Sequence, residues 1–192
     1  MMRLARRSKS RARCLSVFQI KKMAADDYAK ADKGFSPIVG AQPKVLVLGS
    51  MPSQRSLQYQ QYYGHPQNAF WWLMSQLFGF DSALPYTERV ELLKQAGLAV
   101  WDVVYEAVRP GSMDADIQES ALITNDFDAF LKAYPSITLL AFNGKASQKL
   151  FKKHVTGDIA LPQLTLPSTS PAYAAKSRDE KLIEWKQVLT SL

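Results

Sequence analysis

The chain predicts a three-layer α/β/α sandwich on a central four-stranded parallel sheet. Three observations carry that prediction. Four short apolar runs, near residues 44–49, 98–104, 137–142 and 163–166, are bounded by Gly, Pro or polar turn residues, as buried strands are. Helix-length segments separate them, the alternation of a βαβ chain with right-handed crossovers. Polar loops follow Leu48, Phe142 and Leu166, so a parallel sheet brings all three to its carboxyl edge, where open α/β sheets bind ligands.

Taken in order, the chain opens with a head, residues 1–22, that holds eight Lys and Arg and no acid, leaving 16 basic and 17 acidic residues in 23–192. The net charge of +7 therefore belongs to the head and says little about the partner of the nearly neutral remainder. The head reads as an organellar presequence or as an over-called start with Met23 as initiator, in preference to a disordered nucleic-acid arm. A polar lead-in follows to Gly40, so residues 1–40 are expected to be an extension and 41–192 a single domain.

Val45-Leu46-Val47-Leu48 forms the first strand and breaks at Gly49-Ser50-Met51-Pro52. A long polar loop then carries Gln54, Arg55, Tyr59, Tyr62, Tyr63, His65, Gln67 and Asn68. A helix from about Gln67 to Phe78, rich in Phe70, Trp71 and Trp72, ends at Gly79. A second helix covers about Tyr86 to Gln95, with Thr87 as a possible cap and Gly97 closing it. Leu98 to Val104 is a near-continuous apolar run with one charge, Asp102, which reads as a buried acid capping a neighbouring loop in preference to a carboxylate supplied to a site. Arg109 to Asp116 is a loop, and a helix from about Asn125 to Tyr134 precedes the strand Ile137 to Phe142. Asn143-Gly144-Lys145 turns into a helix ending near Lys153. The strand Gln163 to Leu166 runs into Pro167-Ser168-Thr169-Ser170-Pro171-Ala172-Tyr173, and a last helix covers about Ser177 to Leu189.

One cysteine, Cys14, leaves no partner for an intramolecular disulfide, and two histidines are too few for a Cys/His zinc cluster. A reducing compartment and a metal-free site are expected. No apolar run reaches the length of a membrane span, so a soluble protein is expected. A monomer is expected, cytoplasmic or, if the head is a presequence, organellar.

Each loop has a bland and a chemical reading. Tyr59, Tyr62 and Tyr63 with His65 and Asn68 supply flat faces and donor/acceptor edges, as a nucleobase pocket requires, or they are half-buried packing residues. His65 before Pro66 reads as a structural histidine. Asn143-Gly144-Lys145 aims amides and an ammonium from a helix start, which suits an anion, or simply uses Gly for a close turn. The loop after Leu166, with two prolines, is a rigid protrusion.

Four segments, in order, resemble signature segments of the uracil-DNA glycosylase superfamily: Gly49-Ser50-Met51-Pro52-Ser53, Tyr63-Gly64-His65-Pro66-Gln67-Asn68-Ala69-Phe70-Trp71, Phe142-Asn143-Gly144-Lys145 and Leu166-Pro167-Ser168-Thr169-Ser170. Among its branches the chain looks closest to the hypoxanthine-DNA (deoxyinosine) glycosylases, over residues 44–173. The resemblance implies an enzyme that flips a deaminated base from DNA and hydrolyses its N-glycosidic bond without metal or cofactor, leaving an abasic site. It implies that Gly49, Ser50, Met51, Pro52, Tyr63 and Asn143 bind the base, with Tyr63 as the stacking aromatic. It implies that Lys145, Ser168, Thr169, Ser170 and Pro171 contact DNA, the loop from Leu166 to Tyr173 being the wedge.

Two positions depart from the wider pattern. Met51 stands where relatives carry an Asp or Asn that orients the attacking water, and Leu166 where several branches carry a His or Asn that steadies the leaving base. Asn68 is the remaining amide at a motif position, and the resemblance to the hypoxanthine-DNA glycosylases implies that it positions the water. Two alternatives stand beside this reading: a uracil or mismatched-thymine glycosylase of the same fold, and a silent binder of nucleotides or damaged DNA.

Overall fold

The computed structural model describes residues 31–192. The head and the expectations attached to it lie outside the described residues. Four strands form the central sheet: β2 (Val45–Gly49), β3 (Leu98–Asp102), β6 (Leu139–Asn143) and β7 (Gln163–Leu166). Their order is β3-β2-β6-β7 and every pair is parallel. Every residue of β2 and β3 is buried, as strands covered on both faces require, whereas β7 at the edge begins with an exposed Gln163.

Helices α2 (Phe70–Phe78), α3 (Tyr86–Gln95), α4 (Phe127–Ala133), α5 (Lys145–His154) and α6 (Arg178–Trp185) complete the α/β/α architecture. Ser177 and Glu180 form a capping box at the start of α6, and a 3₁₀ turn, Lys186–Ser191, continues it. The helix expected from Gln67 begins three residues later, because the Asn68 carboxamide accepts from the Phe70 N–H and ends the loop there.

Two stretches differ from the sequence reading. The polar loop after Pro52 contains a short helix, α1 (Gln54–Tyr59), capped by the Ser53 hydroxyl and ended by Gln60 in the left-handed region. It carries no apolar stripe to betray it. The run from Leu98 to Val104 is two strands. After Asp102 the chain turns into β4 (Val104–Ala107), the centre of a small antiparallel sheet with β1 (Asp32–Lys33) and β5 (Ile123–Thr124).

The lead-in before Gly40 also enters the fold. Phe35 packs edge-on against Tyr62, and Ile38 is buried and bridges to Val100. The expected domain start at residue 41 therefore falls too late. Two apolar side chains in a polar stretch are enough to fasten it, while their spacing carries no periodic signal.

Candidate active site

The strand order places the first strand, β2, between β3 and β6, so the chain leaves it toward one side and later returns on the other. That is a topological switch point, and the crevice opens outside the carboxyl ends of these strands. The end residues are Gly49 on β2, Asp102 on β3 and Asn143 on β6; the register sets Gly49 beside Asp102. All three line one cavity of about 100 Å³. Ser50, Met51 and Pro52 line it too, with Tyr63, Asn68, Ser168, Thr169 and Ser170. The three loops that the sequence sent to one edge meet there. An adjoining groove of about 570 Å³ shares Asn143, Ser168 and Ser170 and adds Lys145, Pro167 and Tyr173.

The tyrosines separate by role. Tyr59 sits on α1 and is largely exposed, away from the cavity lining. Tyr62 is a core residue that gives its hydroxyl hydrogen to the Phe35 carbonyl, while its own carbonyl receives the Trp71 indole N–H. Tyr63 is held in the left-handed region at φ 55° and stacks on Phe70 at 3.9 Å between centroids. A bulky residue at positive φ is strained, and strain of this kind gathers at ligand sites. The Tyr63 hydroxyl is buried without a partner; burial first, and then the charge of Asp102, push its pKa up. His65 accepts the Gln67 N–H at Nδ1 and shapes the turn.

The protrusion after Leu166 is pinned at three points. The Trp185 indole donates to the Pro167 carbonyl at 3.0 Å, and the buried Lys181 ammonium to the Tyr173 carbonyl at 2.9 Å. Between them, Asn143 donates to the Thr169 hydroxyl at 2.9 Å and accepts its N–H at 2.8 Å, while the Thr169 carbonyl receives the Ala69 N–H. Two expectations change here. Thr169 is 1% exposed, so it is a rivet rather than a DNA contact. Asn143 lines the cavity, yet both ends of its amide are engaged by Thr169. Ser168 and Ser170 are half-buried, Pro171 is exposed at the tip, and Lys145 borders the groove rather than the cavity.

Asp102 caps no loop through its carboxyl group. Its backbone carbonyl receives the Asn125 side-chain N–H, but Oδ2 is buried without a partner. Burial, reinforced by the neighbouring Asp114 and opposed by Arg109, raises its pKa to about 7. A carboxyl group half-protonated near neutrality and lining a cavity is the chemistry of an acid catalyst or a base-reading donor. The sequence marked Asp102 as unusual, but only the register shows where it faces.

The loop from Arg109 to Asp116, which the sequence left without a role, closes that side. The Ser50 hydroxyl donates to the Asp114 carboxylate, and the Gln54 N–H donates to the Ser112 hydroxyl at 3.1 Å. The Arg109 guanidinium is fully buried, donates to the Pro52 carbonyl and lies 3.6 Å from Asp32. It thus ties the Gly49–Ser53 turn to the small sheet.

Gly49 is obligatory at this corner. A Cβ there would lie 2.2 Å from Asp102 Oδ1 and 3.3 Å from the Tyr63 hydroxyl. Gly49→Ala is expected to cost about 1–3 kcal/mol through overpacking and to displace Asp102, read as a lowered Tm.

Comparison with known proteins decides the family. A family model described as the Uracil DNA glycosylase superfamily matches residues 37–190. The chain belongs to that superfamily. It is 31% identical over 157 residues to a hypoxanthine DNA glycosylase of Methanosarcina acetivorans, covering 81% of this chain and 96% of that one. It is 36% identical over 116 residues to the Methanosarcina barkeri protein of the same name, covering 60% of this chain and 72% of that one. A solution NMR structure of a candidate uracil DNA glycosylase from Methanosarcina acetivorans superposes with a TM-score of 0.67 at 28% identity, over 83% of this chain and 99% of that one. The superfamily assignment and the α/β/α fold expected from the sequence both hold. As a superfamily of DNA glycosylases, it sets the reaction class: release of a base from DNA.

Proposed function

We propose that this DNA glycosylase excises hypoxanthine from deoxyinosine, acting as a monofunctional N-glycosyl hydrolase. The observation that carries the reading is the composition of the cavity: Tyr63, Asn68 and Asp102 converge on it while Met51 occupies the first loop. The two relatives named for hypoxanthine support the choice of base.

The flipped base enters beside Tyr63, whose other ring face is covered by Phe70, and the Gly49–Pro52 turn forms the floor. Pro171 at the exposed tip of the riveted loop fills the gap left in the duplex. Ser168 and Ser170 reach the flanking phosphates from the shared rim of cavity and groove, and Lys145 does so from the groove.

Asn68 spends one acceptor position of Oδ1 on the Phe70 N–H at 3.0 Å, which fixes the carboxamide. Its remaining acceptor and donor capacity orients a water toward the sugar C1′. An amide is no base at neutral pH, so bond breaking runs ahead of water attack. The C1′–N9 electron pair departs with the base, and an oxocarbenium-like sugar is captured by the oriented water, whose surplus proton ends on the departed base to give neutral hypoxanthine and an abasic sugar. Neutral Asp102 donates a hydrogen bond to the leaving base and lowers the cost of its negative charge. Met51 is apolar and supplies neither water placement nor charge. This is why the chemistry falls to Asn68 and suits a purine that leaves readily.

The test is a strand-nicking assay in EDTA on duplexes carrying one deoxyinosine, one deoxyuridine or one G·T mismatch, with alkaline cleavage of abasic sites. Nicking confined to deoxyinosine is expected. Preferential nicking at deoxyuridine or at G·T replaces hypoxanthine as the substrate, and binding without nicking on any duplex makes the protein a silent binder.

A further inference from the structure

Helix α5 contains no acidic residue. At 3.6 residues per turn Lys145, Lys149 and Lys152 fall on one stripe, and all three are exposed. The opposite face, Ser147, Leu150 and Phe151, is buried. Lys153, off the stripe, pairs with Glu119, whereas none of the three stripe lysines forms an ion pair among the described residues. Overall charge does not force this concentration. With the nine Lys and Arg and two Asp of residues 1–30 set aside, residues 31–192 hold 15 basic and 15 acidic side chains.

The position of the stripe is as informative as its charge. It begins at Lys145, which lines the groove beside the cavity, at the helix terminus whose free N–H groups and dipole also favour anions. Because α5 starts at the carboxyl end of β6, its axis runs back from that edge. Lys149 and Lys152 therefore lie about 6 and 10 Å further along it.

We propose that Lys145, Lys149 and Lys152 form a second contact line for the DNA backbone, which grips one flank of the duplex outside the base pocket. A flank that meets all three ammonium groups must lean down the side of the domain. Extrusion of a base permits such a bend, and the backbone contacts offset its elastic cost. The proposal rests on the glycosylase reading for its ligand, DNA, but its measurement is binding rather than catalysis.

The experiment uses the full-length Lys149→Gln/Lys152→Gln double variant, which removes the charge, keeps helix propensity and leaves Lys145 in place. Affinity for a deoxyinosine duplex with long flanks is measured against salt. Removing two phosphate contacts should reduce the slope of log K against log salt by about 2 and weaken binding roughly tenfold near 0.1 M salt. The loss should fall on binding, with the single-turnover rate at saturating enzyme little changed. Shortening one flank should weaken the wild-type protein to a similar extent and leave the variant unaffected, whereas shortening the other should affect both alike. An unchanged salt slope overturns the proposal, as it would if the stripe served an acidic protein surface instead. A reduced slope that ignores flank length also overturns it. If wild-type protein binds the duplex without releasing any base, the glycosylase reading fails, while the salt slope still decides the stripe.

Discussion

Replacing Asn68 with alanine is expected to lower the rate of base release about 100-fold or more, the usual scale for one positioned polar group, and to leave DNA affinity close to wild type. The structure adds a complication that the motif does not reveal. The Asn68 carboxamide also closes the N-terminus of α2 through the Phe70 N–H, so the alanine variant loses about 1 kcal/mol of capping and a few degrees of Tm. Asn68→Ser separates the two roles. A serine hydroxyl can cap the same N–H but is too short to orient a water at the sugar. Single-turnover base release should therefore remain low in Asn68→Ser while Tm recovers. Recovery of activity together with Tm would reduce Asn68 to a cap, and unchanged activity in Asn68→Ala would remove it from the mechanism.

The second large effect belongs to Asp102. Its carboxyl group is buried at the end of β3, beside Gly49 and near Asp114, Arg109 and Tyr63, and titrates near 7. If the neutral acid donates to the leaving base, single-turnover base release is fastest below pH 7 and falls up to tenfold per unit above it. Asp102→Asn, which keeps a donor at every pH, flattens that limb. A wild-type profile that rises through pH 7 would instead mark the carboxylate as the active form, and the donor role would be wrong.

Stability carries the same signature by a separate route. The folded-state pKa lies above the ordinary value of 3.8, so the native state binds the proton more tightly than the unfolded chain. Its contribution is fully present below pH 4 and is lost as pH rises to about 7. Asp102→Asn should therefore gain up to about 4 kcal/mol relative to wild type at pH 8 and little at pH 4, read from denaturant unfolding at the two pH values. The protein keeps a costly buried acid at the cavity wall, which is the usual balance between stability and function at an active site.

These two residues also show how unevenly the sequence speaks. Asn68 was legible because it stands in a dense motif, HPQNAFWW, next to residues with an obvious core role. Asp102 was legible only as an oddity in an apolar run, since whether a strand-end acid faces a cavity or a loop depends on the neighbouring strand's register. Arg109 and Asp114 carried no signal at all, because a basic or acidic residue in a Gly/Ser/Asp-rich loop reads as solvated. Tyr62 and Tyr63 are adjacent and chemically identical and both border the cavity, yet the Tyr62 hydroxyl is tied to the Phe35 carbonyl whereas the Tyr63 hydroxyl has no partner. The positive φ of Tyr63 separates them, and the surrounding packing, not the local sequence, sets that angle.

The sequence by itself determined the four strands, their parallel arrangement and the meeting of three polar loops at one edge. Each of these follows from apolar runs and turn residues within a few positions of one another. Only the tertiary structure decided that Asp102 faces the cavity, that Asn143 and Thr169 serve as a rivet, and that Phe35 and Ile38 belong to the domain. Those outcomes depend on contacts between residues tens of positions apart, such as Arg109 with Pro52 and Asn143 with Thr169. Their free energy comes from burial and hydrogen bonding across the folded sheet, which no local pattern encodes.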